Sequence, residues 1–163
     1  MSGDVDLTDA NADGDLNATS VSGVIRAKGL KVRSLDVGTV SGDVMLSNIA
    51  CSRLGIRSIS GSVEYSGALA KSGRYDINSH SGTVRLVLGT DVGFELSANS
   101  FSGSIRSELP MTIGGSRSAS ATSDRNGRRR VMGPGQSTHA VFGDGSAALV
   151  IRTFSGYIVI TKR

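Results

Sequence analysis

The stretch TVSGDVML, residues 39–46, reads as two short pieces of β-strand joined at a Ser-Gly corner. Close copies follow one another along the chain: SVSGVIRA from Ser20, SISGSVEY from Ser58, SHSGTVRL from Ser79, SFSGSIRS from Ser100 and TFSGYIVI from Thr153. Ser-Gly pairs start at Ser2, Ser22, Ser41, Ser60, Ser81, Ser102 and Ser155, at intervals of 20, 19, 19, 21, 21 and 53 residues. Recurrence at a nearly fixed period is the sequence signature of a solenoid.

Counting from the Ser of each pair gives columns. Three residues on stand Val5, Ile25, Val44, Val63, Val84, Ile105 and Ile158, and five on stand Leu7, Ala27, Leu46, Tyr65, Leu86, Ser107 and Ile160. Six residues back stand Leu16, Leu35, Leu54, Tyr75, Leu96 and Leu149, and four back stand Ala18, Val37, Ile56, Ile77, Ala98 and Ile151. This period-two alternation predicts a strand on each side of the corner with one face inward. Glycine suits such a corner because it takes φ > 0 without a Cβ clash.

Two residues back the column is Ser20, Thr39, Ser58, Ser79, Ser100 and Thr153. Stacked coils would hold these hydroxyls about 4.8 Å apart, where they can bond backbone groups or one another. A nucleophile is needed once, so serines repeated in every coil do not read as catalytic. One residue back stand Val21, Val40, Ile59, His80, Phe101 and Phe154, and in this company His80 reads as a packed histidine.

The expected fold is all-β: a single-stranded parallel β-helix (β-solenoid) of about six to seven coils, ~20 residues each, forming one domain over 1–163. An antiparallel sandwich is the competing architecture, but it does not explain why every second strand carries the same residues. In the third coil Ile49 and Cys51 are expected to point inward on a third side. The arc 108–148 is the one long insertion, expected as a mobile loop or projecting hairpin around Gly-Pro-Gly. The last copy, ALVIRTFSGYIVITKR, is expected to complete the stack, with Lys162 and Arg163 blunting its edge.

Composition narrows function. Aromatic residues are 4% and Trp is absent, so aliphatic side chains must fill the core. The lone Cys51 excludes an internal disulfide and a cysteine metal cluster. No apolar run is long enough for a transmembrane helix. The net charge is +4, and DRNGRRR at 124–130 concentrates Arg125, Arg128, Arg129 and Arg130, a solvated loop or a candidate interaction surface. Nucleic acid is a poor partner for it because no aromatic is interleaved to stack bases.

SGDVDL, SGDVML, SGTVRL and the closing GDGSAALVIRTFSGYIVI resemble a bacterial adhesin-type family, a domain of unknown function with serial Ser-Gly-x-Val strands. The resemblance covers nearly the whole chain. It implies a parallel β-helix in proteins of the bacterial envelope or beyond it, so the localisation expected is extracytoplasmic or envelope-associated. It carries no catalytic residues to transfer.

Enzyme chemistry is not expected. Glu64 beside Arg85 reads as a solvated cross-strand pair, and Asp36 and Asp76 share an outward column with Gly55 between them. His80 and His139 lack a zinc-type ligand set, and GDGSA around Asp144 lacks calcium-loop spacing. No catalytic, cofactor or metal site is expected. The favoured function is a noncatalytic surface scaffold that binds a protein or glycan. The alternative is a self-assembling structural protein, and a carbohydrate-active β-helix enzyme ranks below both. The candidate self-association end is the first coil, where Val5, Leu7, Leu16 and Ala18 have no coil above them, unless further coils or a cap precede Met1 in the native protein.

Overall fold

The structure, a computed structural model, describes residues 3–9, 11–89, 91–108, 112–113, 121–123, 129–131 and 136–162. Every regular element among them is a strand: β1 Val5–Thr8, β2 Asn11–Ser22, β3 Ile25–Lys28, β4 Lys31–Ser41, β5 Val44–Ser47, β6 Ala50–Ser60 and β7 Val63–Gly67. Then follow β8 Arg74–Leu88, β9 Phe94–Ser107, β10 Thr112–Ile113, β11 Ala121–Ser123, β12 Arg129–Val131, β13 Gln136–Phe142 and β14 Ala147–Lys162. Among the described residues no helix is long and apolar enough to cross a membrane.

The chain is all-β with a mostly parallel sheet that does not close into a barrel. One wall stacks the strands after each corner in the order β1-β3-β5-β7-β8-β14-β9, and the other stacks β2, β4, β6 and β8. Parallel pairing in register excludes the antiparallel sandwich: Val44 faces Ile25 on one side and Val63 on the other. Leu54 likewise faces Leu35 and Tyr75.

Alternation sets the core. Ile25, Val44, Val63 and Val84 are buried, as are Leu46, Leu54, Ile56, Ile77 and Leu86. Ile49 and Cys51 are buried, pointing inward as their place in the third coil predicts. With few aromatics available, two tyrosines enter this interior, and each must satisfy a hydroxyl. Tyr75 donates to the Cys51 carbonyl at 2.8 Å and accepts the Ala70 N–H at 2.7 Å. Tyr65 lies beside it, with ring centroids 6.1 Å apart.

The corners stack as tightly as the strands. Gly61 has φ +130°, and a Cβ there would run into the carbonyl oxygen of Gly42 one rung away. Glycine is required twice over: for the dihedral and for the close backbone approach.

The end of the chain departs from the expected order. β14 does not complete the stack from outside. It lies between β8 and β9, parallel to both, with Ile158 facing Val84 on one side and Ile105 on the other. Lys162 therefore pairs with Leu88 inside the sheet and blunts no edge. Arg163 lies outside the described residues.

The arc also differs from a projecting loop. β13 runs antiparallel along β9 from Gln136 opposite Ser100 to Phe142 opposite Phe94, and β12 continues along the same edge opposite residues 105–107. β12 and β13 thus lie in series on β9 and do not pair with each other around Gly-Pro-Gly; the arc instead folds back antiparallel on itself, β11 along β12 and β10 along β13, as a hairpin laid against β9. The turn at 143–146 carries the chain across Gly93 from one edge of β9 to the other. A Cβ on Gly93 would strike Asp144 and the Phe142 carbonyl. Ser146 anchors this crossing by donating to the Gly93 carbonyl at 3.1 Å.

Candidate functional site

The column one residue before each corner faces outward. Val21, Val40, Ile59, Phe154 and Phe101 are each between 44% and 62% exposed, and His80 is exposed with them. The expectation of a packed His80 is therefore corrected. Its imidazole stacks on Phe154 at 5.0 Å with 5° between planes, and Phe154 stacks on Phe101 at 4.9 Å and 6°. Parity explains the exposure: when residues two, four and six back point inward, the residue one back must point out. Core demand does not account for these apolar side chains, and a contiguous exposed apolar run marks an interaction surface.

Three residues before each corner a second outward column runs parallel to the first: Thr19, Gly38, Arg57, Asn78, Arg152 and Asn99 in stack order. Between the two columns lies an open groove of about 830 Å³. One side is an apolar ridge, and the other carries amides and guanidinium groups. Asn78 donates to Asp76 Oδ1 at 2.7 Å, which fixes its amide and leaves its carbonyl oxygen free to accept. Among the described residues no Asp or Glu lines the groove.

Beneath the groove runs the Ser/Thr column, 3–6% exposed. Ser20 donates to the carbonyls of Gly3 and Ser22, at 3.2 and 3.3 Å. The hydroxyls of Thr39, Ser58, Ser79, Ser100 and Thr153 are buried without a hydrogen-bond partner, so the expected ladder of bonded hydroxyls does not form.

The other residues singled out from the sequence lie elsewhere. Arg125 and Arg128 fall outside the described residues; Arg129 and Arg130 are in β12, opposite Ser107 and Arg106. Val5, Leu7 and Leu16 are partly buried against the core, while Ala18 is fully buried and offers no free surface. Arg85 and Glu64 form the expected exposed pair at 3.9 Å. Asp36 and Asp76 flank Gly55, over which Asp36 leans. His139 has a carboxylate neighbour the sequence did not reveal: Glu95 accepts from its Nε2 at 2.7 Å across β13 and β9. Among the described residues no three His, Cys, Asp or Glu side chains cluster as a metal site. Asp144 accepts from the backbone of Ser146, and hydrogen bonding from Ser146 holds its carboxyl below the usual range.

A parallel β-solenoid wall with an exposed groove along its stacking axis is the class of protein these features define. The chain belongs to the Toastrack DUF4097 family, a domain of unknown function, whose family model matches residues 1–132. Among solved structures it is similar to a "putative cell adhesion protein" from Clostridium sporogenes ATCC 15579, with 16% identity and a TM-score of 0.49. That alignment covers 86% of this chain and 56% of the other, so the chain spans little more than half the length of that protein. No curated protein matches.

Proposed function

We propose that this chain is a noncatalytic binding module of the bacterial envelope or cell surface, an adhesion-type scaffold of six to seven coils that presents the groove to an extended partner. The observation that carries this reading is the exposed column from Val21 to Phe101, held on strands whose alternate residues are locked in the core. A side chain so placed cannot fold inward, because its neighbours fill the interior. The surface is rigid before a partner arrives, which lowers the ordering cost of binding.

The titratable groups of the groove support a binding role over catalysis. Among the described residues Arg57, Arg152 and His80 line it without a carboxylate to act as acid or base, and a glycosidase needs two. Labelled full-length chain should bind isolated bacterial envelopes saturably. Phe101→Ser/Phe154→Ser should lose that binding with its thermal midpoint little changed; undiminished binding by this variant would overturn the proposal.

A second reading, end-to-end self-association, is favoured by one observation. Among the described residues β1 pairs only with β3 and β2 only with β4, leaving one backbone edge of each unpaired. Sedimentation across concentrations separates the two readings. Association that Val5→Glu abolishes supports stacking, and a monomer at every concentration excludes it.

A further inference from the structure

Resting on that reading of the groove, we infer that its ligand is a linear acidic polysaccharide carrying carboxylates on alternate sugars. Three observations converge on this chemistry. The first is charge: Arg57 and Arg152 stand in the groove with no Asp or Glu among the described residues that line it. Asp76 lies one outward position away, but its Oδ1 is engaged by Asn78.

The second is the orientation of the rings. His80, Phe154 and Phe101 stack with near-parallel planes at 5.0 and 4.9 Å, so both faces of Phe154 and one face of each neighbour are covered. What they turn toward solvent is their edges, the electropositive rim of an aromatic quadrupole. Bases stack on ring faces, and Phe154 has both of its faces covered by His80 and Phe101, which leaves no run of free ring faces for a single-stranded nucleic acid. A carboxylate meets the positive rim and the guanidinium groups together.

The third is spacing. Arg57, Asn78 and Arg152 occupy successive rungs, which places the Cα atoms that carry the two cations about 9.6 Å apart with an amide-bearing residue between them. A pyranose in an extended chain advances by about one rung. A polymer with a uronate on every second sugar therefore brings a carboxylate to each arginine and the intervening sugar's hydroxyls to Asn78. An extended acidic peptide repeats its same-face side chains at about 6.6–6.8 Å and falls out of step.

The test is an equilibrium titration of the full chain with end-labelled hyaluronate fragments, beside a neutral N-acetylglucosamine oligomer and poly-glutamate. Two doubly substituted variants remove the same charge: Arg57→Gln/Arg152→Gln in the groove, and Arg26→Gln/Arg85→Gln on the opposite wall. Hyaluronate should bind best, weaken as salt is raised, and lose about tenfold or more in affinity with the groove pair. The opposite-wall pair should change it less than about twofold.

Equal losses for both pairs would show attraction to a basic protein only and overturn the inference. Equal or tighter binding of the neutral oligomer or of poly-glutamate overturns it as well, as does no binding of hyaluronate. If hyaluronate fails while Phe101→Ser/Phe154→Ser still abolishes envelope binding, the ligand class is wrong and the groove reading stands. If that variant leaves envelope binding intact, the groove reading itself falls.

Discussion

Phe101 and Phe154 stack ring on ring at 4.9 Å although the whole 108–148 arc separates them in sequence. Their contact follows from the position of β14, which enters the sheet between β8 and β9 and aligns Phe154 with His80 on its other side. The apolar ridge of the groove is thus completed by the last strand of the chain.

β14 is a central strand, so its removal should be felt across the sheet. Deleting residues 147–162 uncovers the facing edges of β8 and β9 and strips the core of Leu149, Ile151, Ile158 and Ile160. The truncated chain should lose cooperative urea unfolding and bind a hydrophobic dye. A truncated chain that melts cooperatively near the full-length midpoint would place β14 outside the sheet.

Inward and outward columns should differ sharply in their response to truncation. Leu54 is 1% exposed between Leu35 and Tyr75, so Leu54→Ala should cost about 2–5 kcal/mol by leaving a cavity. Ile59, 52% exposed, should cost within about 0.5 kcal/mol on the same change. Urea denaturation of both variants checks the register, and similar costs would contradict it.

Gly61→Ala should destabilise by about 1–3 kcal/mol, because a Cβ at φ +130° is strained and also meets the Gly42 carbonyl. Gly14, with nothing near its Cβ position, should accept alanine at little cost. Thermal melts of the pair test the stacked corner directly.

Burial pushes the Cys51 thiol from 9.0 to about 11. Desolvation also pushes the Tyr75 hydroxyl, from 10.0 to about 12. Both groups stay neutral in the folded chain while the unfolded chain ionises them first. Their contribution is therefore complete below pH 9 and is lost as pH rises through the folded values. The melting midpoint should fall over that window, and Cys51→Ala should make the fall shallower. At pH 9 the native thiol should resist alkylation until urea is added; rapid labelling of the folded chain would show that Cys51 is not buried.

Much of this fold is legible in the sequence because each inward column repeats a size and polarity at fixed spacing. Val44, Leu54 and Ile56 are placed correctly by parity alone, and Ser-Gly marks the corner. The insertion of β14 is not legible. Chain order suggests stacking after β9, and ALVIRTFSGYIVI fits a rung on either side of β9 equally well by pattern. The choice is made by the arc, whose β13 occupies the outer edge of β9 and leaves the gap beside β8 for the returning strand. The groove was within reach: applied to His80, the parity rule that buries Ser79 turns the imidazole outward. Its valine, isoleucine and phenylalanine neighbours in the column suggest a core position instead, although column membership does not imply burial. Whether the buried serine and threonine hydroxyls find partners depends on hydrogen-bond distance and angle, which no residue pattern encodes.

Pairwise cysteine cross-linking tests the placement of β14, on which both the sheet order and the completed groove depend. In a Cys51→Ala background, cysteines replacing His80 and Phe154, or Phe154 and Phe101, would stand one rung apart, about 4.8 Å between Cα atoms and within disulfide range. Cysteines replacing His80 and Phe101 would stand two rungs apart, about 9.6 Å, and beyond it. The first two pairs should therefore oxidise readily in the folded chain while the third stays reduced. Efficient closure of the His80–Phe101 pair, with the Phe154 pairs remaining reduced, would contradict the inserted strand.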